Sequence, residues 1–293
     1  MSDIVGGKFR AGLVQTCSGR SVEANVVAAS ELIRRAAAGG ANYVQTPEVT
    51  TLMELDRERL FTSCQPEEGN KALHHFQSLA RELGIWLHIG SMAIRATPTK
   101  LANRSYLLSP AGDIVARYDK IHMFDVQLAN GEIYRESENY QGGDKAVVAA
   151  TPWGGLGMTI CYDLRFPYLY RALAHAGAQL ISVPAAFTRP TGEAHWHVLL
   201  RARAIEAQCF VMAAAQGGQH EHGRSTYGHS LVISPWGEIL AEGDTDPGVI
   251  FADIDLAQVA EVRQRVPSLT HDRPFEVAAQ LPVERASADA GSR

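Results

Sequence analysis

"GMTICYDLRFPYLYRALAHAGAQLISVPAAF" (residues 157–187) contains an apolar run, a charged break, a stretch of helical spacing and a second apolar run. A strand, a helix and another strand within one short segment form the unit from which parallel sheets are built. The pattern continues downstream, where "EAHWHVLLRARAIEA" (193–207) reads as a helix and "CFVMAAAQ" (209–216) as the next strand. Near the end, "HSLVISPWGEILAEG" (229–243) reads as a hairpin turning at Pro235, Trp236 and Gly237. Upstream, "FRAGLVQT" (9–16) is a strand, and the helical stretch 22–40 stops at Gly39 and Gly40. "ANYVQTPEV" (41–49) is a strand broken by Pro47, 68–83 a helix and "GIWLHIGSMAI" (84–94) a strand. Residues 103–124 form two strands joined at Pro110 to Asp113. We therefore expect an α/β fold whose sheets mix parallel and antiparallel strands. It forms one domain over 9–281, with a polar tail at 282–293.

The composition fits that reading. At 293 residues, 46% hydrophobic and 20% charged, the chain can bury a core without disulfides or metal. A net charge of -5 argues against nucleic acid or an anionic membrane as partner. The opening "MSDIVGGKFRAGLVQT" lacks a basic region followed by an apolar one, and no stretch is apolar for long enough to span a membrane. A cytoplasmic protein is expected. Cys17, Cys64, Cys161 and Cys209 are too far apart for a zinc or dithiol motif and are expected to be free thiols.

Three polar residues lie at or near strand ends, where α/β sheets assemble their sites. Glu48 follows "NYVQTP", Lys120 lies in "RYDKIHMF", and Cys161 ends "GMTIC". Each has an ordinary reading alone: a solvated loop acid, an exposed strand lysine, a packed thiol. Together they suit acyl transfer from a carbon-nitrogen bond. A thiol near its normal pKa of about 8.5 needs a base or a cation to become a good nucleophile. A carboxylate can take its proton, pass it to the departing amine and later activate water. A lysine can favour the thiolate and hold the developing oxyanion, and the Tyr162 N–H stands ready as a second oxyanion donor.

The segments "TPEV", "YDKIHMFDV", "ICYDLRFPYLYRALAHAGA", "AHWHVLLRARAIEAQCFVMAAAQ" and "YGHSLVISPWGE" resemble the carbon-nitrogen hydrolases of the nitrilase superfamily, over residues 9–274. Within it they look most like the deaminated glutathione amidase branch. The resemblance implies a four-layer α-β-β-α sandwich, with Glu48 as general base, Lys120 as oxyanion stabiliser and Cys161 as nucleophile. It also implies a second carboxylate at Glu136, with Glu132 and Glu138 as competitors. A departure is Thr46, which stands where the family usually has leucine. Arg165 resembles an arginine that meets a substrate carboxylate, a role suited to its planar fork; its alternative is an ion pair with Asp163. By the same resemblance Phe187, and more weakly Thr188, line the pocket.

Eleven histidines invite a metal reading. His195 and His197 fall on different sides of a helix, and His220 and His222 lack an obvious third ligand. No metal or cofactor is expected, and Cys161 lacks the local signature of papain-type proteases. The expected substrate is a small amide bearing a carboxylate, above all deaminated glutathione, cleaved to 2-oxoglutarate and cysteinylglycine. The alternatives are an omega-amidase on 2-oxo acid amides, an N-carbamoyl amino acid hydrolase, a nitrilase, or a non-catalytic binding protein on the same fold. "CYD" speaks against a true nitrilase, and a lone arginine in "DLRFP" against a carbamoyl hydrolase. The resemblance also implies a homodimer or higher homo-oligomer through the helices at 168–176 and 195–207.

Overall fold

The computed structural model describes residues 7–128, 131–221 and 223–278. The first half runs β1 (Lys8–Gln15), α1 (Val22–Ala38), β2 (Tyr43–Gln45), α2 (Arg57–Ser63), α3 (Lys71–Leu83), β3 (Trp86–Arg95), β4 (Leu101–Leu108) and β5 (Ile114–Asp119). Small elements follow: β6 (Asp125–Gln127), β7 (Ile133–Arg135), α4 (Glu136–Asn139) and β8 (Tyr140–Gln141). The second half runs β9 (Val147–Ala150), β10 (Gly155–Met158), α5 (Pro167–His175), β11 (Ala178–Ser182), α6 (Arg189–Ala207) and β12 (Phe210–Ala213). It closes with β13 (Gly217–Gln219), β14 (Ser225–Tyr227), β15 (Leu231–Ile233), β16 (Ile239–Glu242), β17 (Gly248–Asp255) and α7 (Ala257–Arg265).

The two large sheets follow one plan. In the order β17-β1-β2-β3-β4-β5, strands β1, β2 and β3 are mutually parallel and their flanking strands antiparallel. In the order β16-β15-β12-β11-β10-β9, the parallel trio is β10, β11 and β12. Parallel neighbours need a crossover, and α1, α3, α5 and α6 supply it. Helices α1 and α3 lay Val26, Ile33, Phe76 and Leu79 on one face of the first sheet, against Val44, Leu87 and Ile89. On its other face Phe9, Leu13, Tyr43 and Tyr118 join one core with Met158, Leu180 and Val211 of the second sheet. That sheet is covered in turn by Leu169, Leu173, Trp196 and Leu200 of α5 and α6. The layers are α-β-β-α, as expected. No helix among the described residues is long and apolar enough to cross a membrane.

The layer between the sheets is not wholly apolar. Tyr43 donates to Gln45 Oε1 (2.9 Å) and lies 2.7 Å from His88 Nδ1, whose Nε2 meets Ser105 Oγ at 2.7 Å. Gln45 Nε2 donates across the interface to Met212 O at 3.1 Å. Burial pushes the His88 imidazole down to about 3, so the ring is neutral and serves as a hydrogen-bonding strut.

One expectation needs correction, and two hairpins are added. The strand before the cysteine ends at Met158, and Cys161 opens a short 3-10 turn, Cys161–Arg165. The hairpins β6–β7 and β13–β14 were not foreseen. The hairpin around Gly237 is present as read, with Gly237 at φ +87°. The segment 282–293 lies outside the described residues.

Candidate active site

The candidate site gathers where strands of both sheets end. Glu48 lies three residues past β2, Lys120 directly follows β5, and Cys161 comes three residues after β10. Pro47 stops the β2 ladder because it has no N–H to give. Val49 and Cys161 adopt left-handed backbone at φ +50° and +48°, which non-glycine residues rarely tolerate and which clusters at functional sites. Buried Asp163 holds the Cys161 turn in place, accepting from Ile160 N (2.9 Å), Tyr118 Oη (2.6 Å) and His122 N (3.1 Å). Cys161 N donates to Pro184 O at 2.9 Å, tying the turn to the end of β11. Thr46 finds partners of its own: its hydroxyl accepts from Gly90 N (3.0 Å) and Thr50 Oγ1 (2.8 Å), so the backbone before Glu48 is braced.

These strand ends bring the trio together. Lys120 Nζ donates to Glu48 Oε1 at 2.8 Å and to Glu136 at 2.8 and 3.1 Å. Asn103 Nδ2 bridges the same two carboxylates, at 2.9 and 3.1 Å. Ala186 N donates to the other Glu48 oxygen at 3.0 Å, and Phe124 N to Glu136 Oε2 at 2.7 Å. Glu48 and Lys120 are only 5% and 1% exposed, so ionising either alone would be costly. Of the three glutamates considered, Glu136 is the one on Lys120. Glu132 accepts from Tyr134 Oη at 2.8 Å, and Glu138 is exposed.

The electrostatics follow from that packing. Burial works against the Glu48 charge, but the Lys120 charge and hydrogen bond outweigh it and hold the carboxyl below its usual range. Burial likewise opposes the Lys120 charge, yet Glu136 and Glu48 raise its pKa well above normal. Burial, followed by the Glu48 charge, pushes the Cys161 thiol far up, with Lys120 opposing. Lys120 does favour the thiolate, as expected, but burial and the Glu48 charge outweigh it. With both against ionisation, the resting sulfur is an S–H beside the Glu48 carboxylate.

Cys161 opens on a cavity of about 370 Å³. Tyr162, Arg165, Phe187 and Thr188 all line it. Arg165 does not pair with Asp163: its Nη1 donates to His195 Nδ1 at 3.3 Å, and its Cζ lies 5.4 Å from the Phe187 ring and 5.8 Å from that of Tyr162. Phe187 also packs on Trp196 at 4.8 Å, and the Thr188 hydroxyl is 2.9 Å from that of Thr191. Sequence reading missed Asn103, Ala186 and Arg224. Arg224 lines the same cavity and donates from Nη2 to Ala186 O at 2.6 Å.

The histidines divide as the helix spacing implied. His195 faces Arg165, while His197 reaches Glu242 at 2.9 Å, which also accepts from His229 at 3.0 Å, away from the cavity lining. His220 contacts Ser18 O and Thr226 Oγ1 at 2.9 and 2.7 Å. His222 lies outside the described residues.

The chain is similar to known proteins over most of its length. The carbon-nitrogen hydrolase family matches residues 10–264. Proteins named deaminated glutathione amidase are 42% identical in Yersinia enterocolitica, covering 89% of this chain and 92% of that protein, and 40% identical in Bos taurus, covering 89% and 82%. The crystal structure of the C. elegans NitFhit protein superposes with a TM-score of 0.86 at 36% identity, covering 92% of this chain and 66% of that one. With its sandwich of paired sheets and these relatives, the chain belongs to the carbon-nitrogen hydrolases of the nitrilase superfamily and is an amidase, a hydrolase of carbon-nitrogen bonds other than peptide bonds.

Proposed function

We propose that this amidase cleaves deaminated glutathione to 2-oxoglutarate and cysteinylglycine through a thioester on Cys161. The observation that carries the reading is the buried, ionised Glu48, set against both Lys120 and the Cys161 thiol. Glu48 takes the thiol proton as Sγ attacks the amide carbon, and the carbonyl oxygen becomes an oxyanion. The Lys120 ammonium and the Tyr162 N–H, at the opening turn where N–H groups lack helical partners, stabilise that charge. Collapse breaks the carbon-nitrogen bond, and Glu48 gives its proton to the leaving amine. Water then loses a proton to Glu48 and attacks the thioester, and the returning proton regenerates the thiol. Glu136 and Asn103 keep Lys120 and Glu48 in register throughout.

Arg165 supports the substrate class. No described carboxylate lies within ion-pair distance of it, it faces the cavity beside Phe187, and its fork suits the carboxylate of the 2-oxo acyl portion. The names of the similar amidases favour deaminated glutathione. The test compares kcat/KM for deaminated glutathione, 2-oxoglutaramate, an N-carbamoyl amino acid and an aliphatic nitrile, in wild type and Arg165→Ala. Deaminated glutathione should rank first, and the substitution should weaken carboxylate-bearing substrates by about 2 to 5 kcal/mol while sparing a neutral amide. A higher value for the nitrile or carbamoyl compound, or an equal loss on charged and neutral amides, contradicts the assignment.

We also propose a cytoplasmic homodimer. Free Cys17, Cys64, Cys161 and Cys209 suit a reducing compartment, and exposed Tyr168, Val198 and Ile205 on α5 and α6 suit a shared apolar face.

A further inference from the structure

We propose that Arg224 binds the carboxylate of the departing amine, which for the substrate proposed above is the C-terminal carboxylate of cysteinylglycine. The inference rests on that substrate reading. Arg224 stands between β13 and β14, and its guanidinium has no carboxylate within ion-pair distance among the described residues. Its Nη2 is held by Ala186 O, and its Cζ lies 5.2 Å from the Tyr134 ring. Among the described residues its Nε is buried without a hydrogen-bond partner, and Nη1 has only the soft Met53 sulfur at 4.0 Å. Such a cation in a cavity wall is built for an anion that arrives with the ligand.

The position of Arg224 decides which carboxylate it takes. The amine must leave on the Glu48 side, because Glu48 returns the proton to it. Arg224 belongs to that wall: it grips the carbonyl oxygen of Ala186, the residue whose own N–H holds Glu48 Oε2. Its charge also lowers the Glu48 pKa, behind Lys120. Arg165 instead rides on the turn of the nucleophile itself, against His195 and Phe187, which is the acyl side. A dipeptide leaving group reaches about 7 Å past the scissile nitrogen, so its carboxylate lies well away from Cys161. A third lining arginine, Arg135, is held by Val126 O and Tyr134 O, which leaves Arg165 and Arg224 for the two ends of a dianionic amide.

The experiment measures kcat/KM for deaminated glutathione and for the same compound with its C-terminal carboxylate converted to an amide. Wild type should prefer the acid by roughly 30-fold or more, the scale of leaving a buried charge unpaired. In Arg224→Gln that preference should collapse towards parity, whereas Arg165→Ala should keep it. Equal proportional losses on acid and amide in Arg224→Gln overturn the proposal and leave Arg224 as a brace for Ala186. Inhibition of wild type by cysteinylglycine and by its amide needs no variant, and equal inhibition by the two also overturns it. A wild type that hydrolyses 2-oxoglutaramate but not deaminated glutathione rejects the substrate reading itself, a result distinct from either of these.

Discussion

Lys120 sits between Glu48 and Glu136 within hydrogen-bond distance of both, and this fixes how Cys161 can react. With one ammonium against two carboxylates, a resting thiolate would add a second net negative charge to a buried site. The nucleophile waits as a thiol and its base as a carboxylate. Glu48→Gln removes the proton acceptor and should lower kcat by at least about 100-fold. Lys120→Met removes the oxyanion partner, with a similar loss, and leaves the buried Glu48 carboxylate without its counter-charge, which should also cost about 3 to 5 kcal/mol in a denaturant melt. The pH profile has a definite sign. Glu48 stays ionised below the ordinary carboxyl range and Cys161 stays protonated above the ordinary thiol range. With a substrate that does not titrate in between, kcat/KM should be flat from 4.5 to 9.0. A limb rising between those values would mean that a preformed thiolate attacks. At this scale Glu48 and Cys161 were legible because each follows an apolar run that marks a strand, and Lys120 because it follows the strand after the turn at Pro110 to Asp113. Asn103 and Arg224 were not, since a single polar residue in a strand or short hairpin has no spacing that sets it apart.

Gly90 in β3 shows how elements aim these residues. A Cβ there would stand 2.0 Å from Thr46 O, 2.4 Å from Pro47 O and 2.5 Å from Pro184 Cβ. The contacts fall on backbone of the loop that carries Glu48 and on the turn that holds Cys161 N, neither of which can yield cheaply. Gly90→Ala should destabilise the fold by about 1 to 3 kcal/mol and lower kcat more than it raises KM, because the base and the nucleophile are pushed apart. Unchanged turnover with unchanged melting would show that this close approach positions nothing. The long elements were readable from sequence: α1, α5 and α6 carry helical periodicity, and the β10-α5-β11 unit alone implies parallel strands. Strands of three residues, such as β6, β7, β13 and β14, are too short to show a period and are fixed by contacts made after folding.

The whole molecule repeats one design twice, a parallel trio with antiparallel flanks, and joins the copies face to face so that strand ends of both sheets supply the site. Sequence gave the mixed α/β class, but the pairing of the sheets came through resemblance, because the buried struts Gln45 and His88 are polar and look like surface residues in a pattern of apolar positions. Exposed Tyr168 and Val198, at 64% and 68%, lie on the outer helices. Sedimentation velocity should give a dimer that Val198→Asp converts to monomer, and a monomeric wild type would refute the proposed interface. The central claim is that Cys161 carries the acyl group. The most direct measurement is intact-protein mass spectrometry of wild type quenched during turnover of deaminated glutathione, followed by peptide mapping. The account predicts a 2-oxoglutaryl adduct on the Cys161 peptide, absent from an inactive but folded Cys161→Ala. Turnover surviving in Cys161→Ala, or an adduct on another residue, would contradict it.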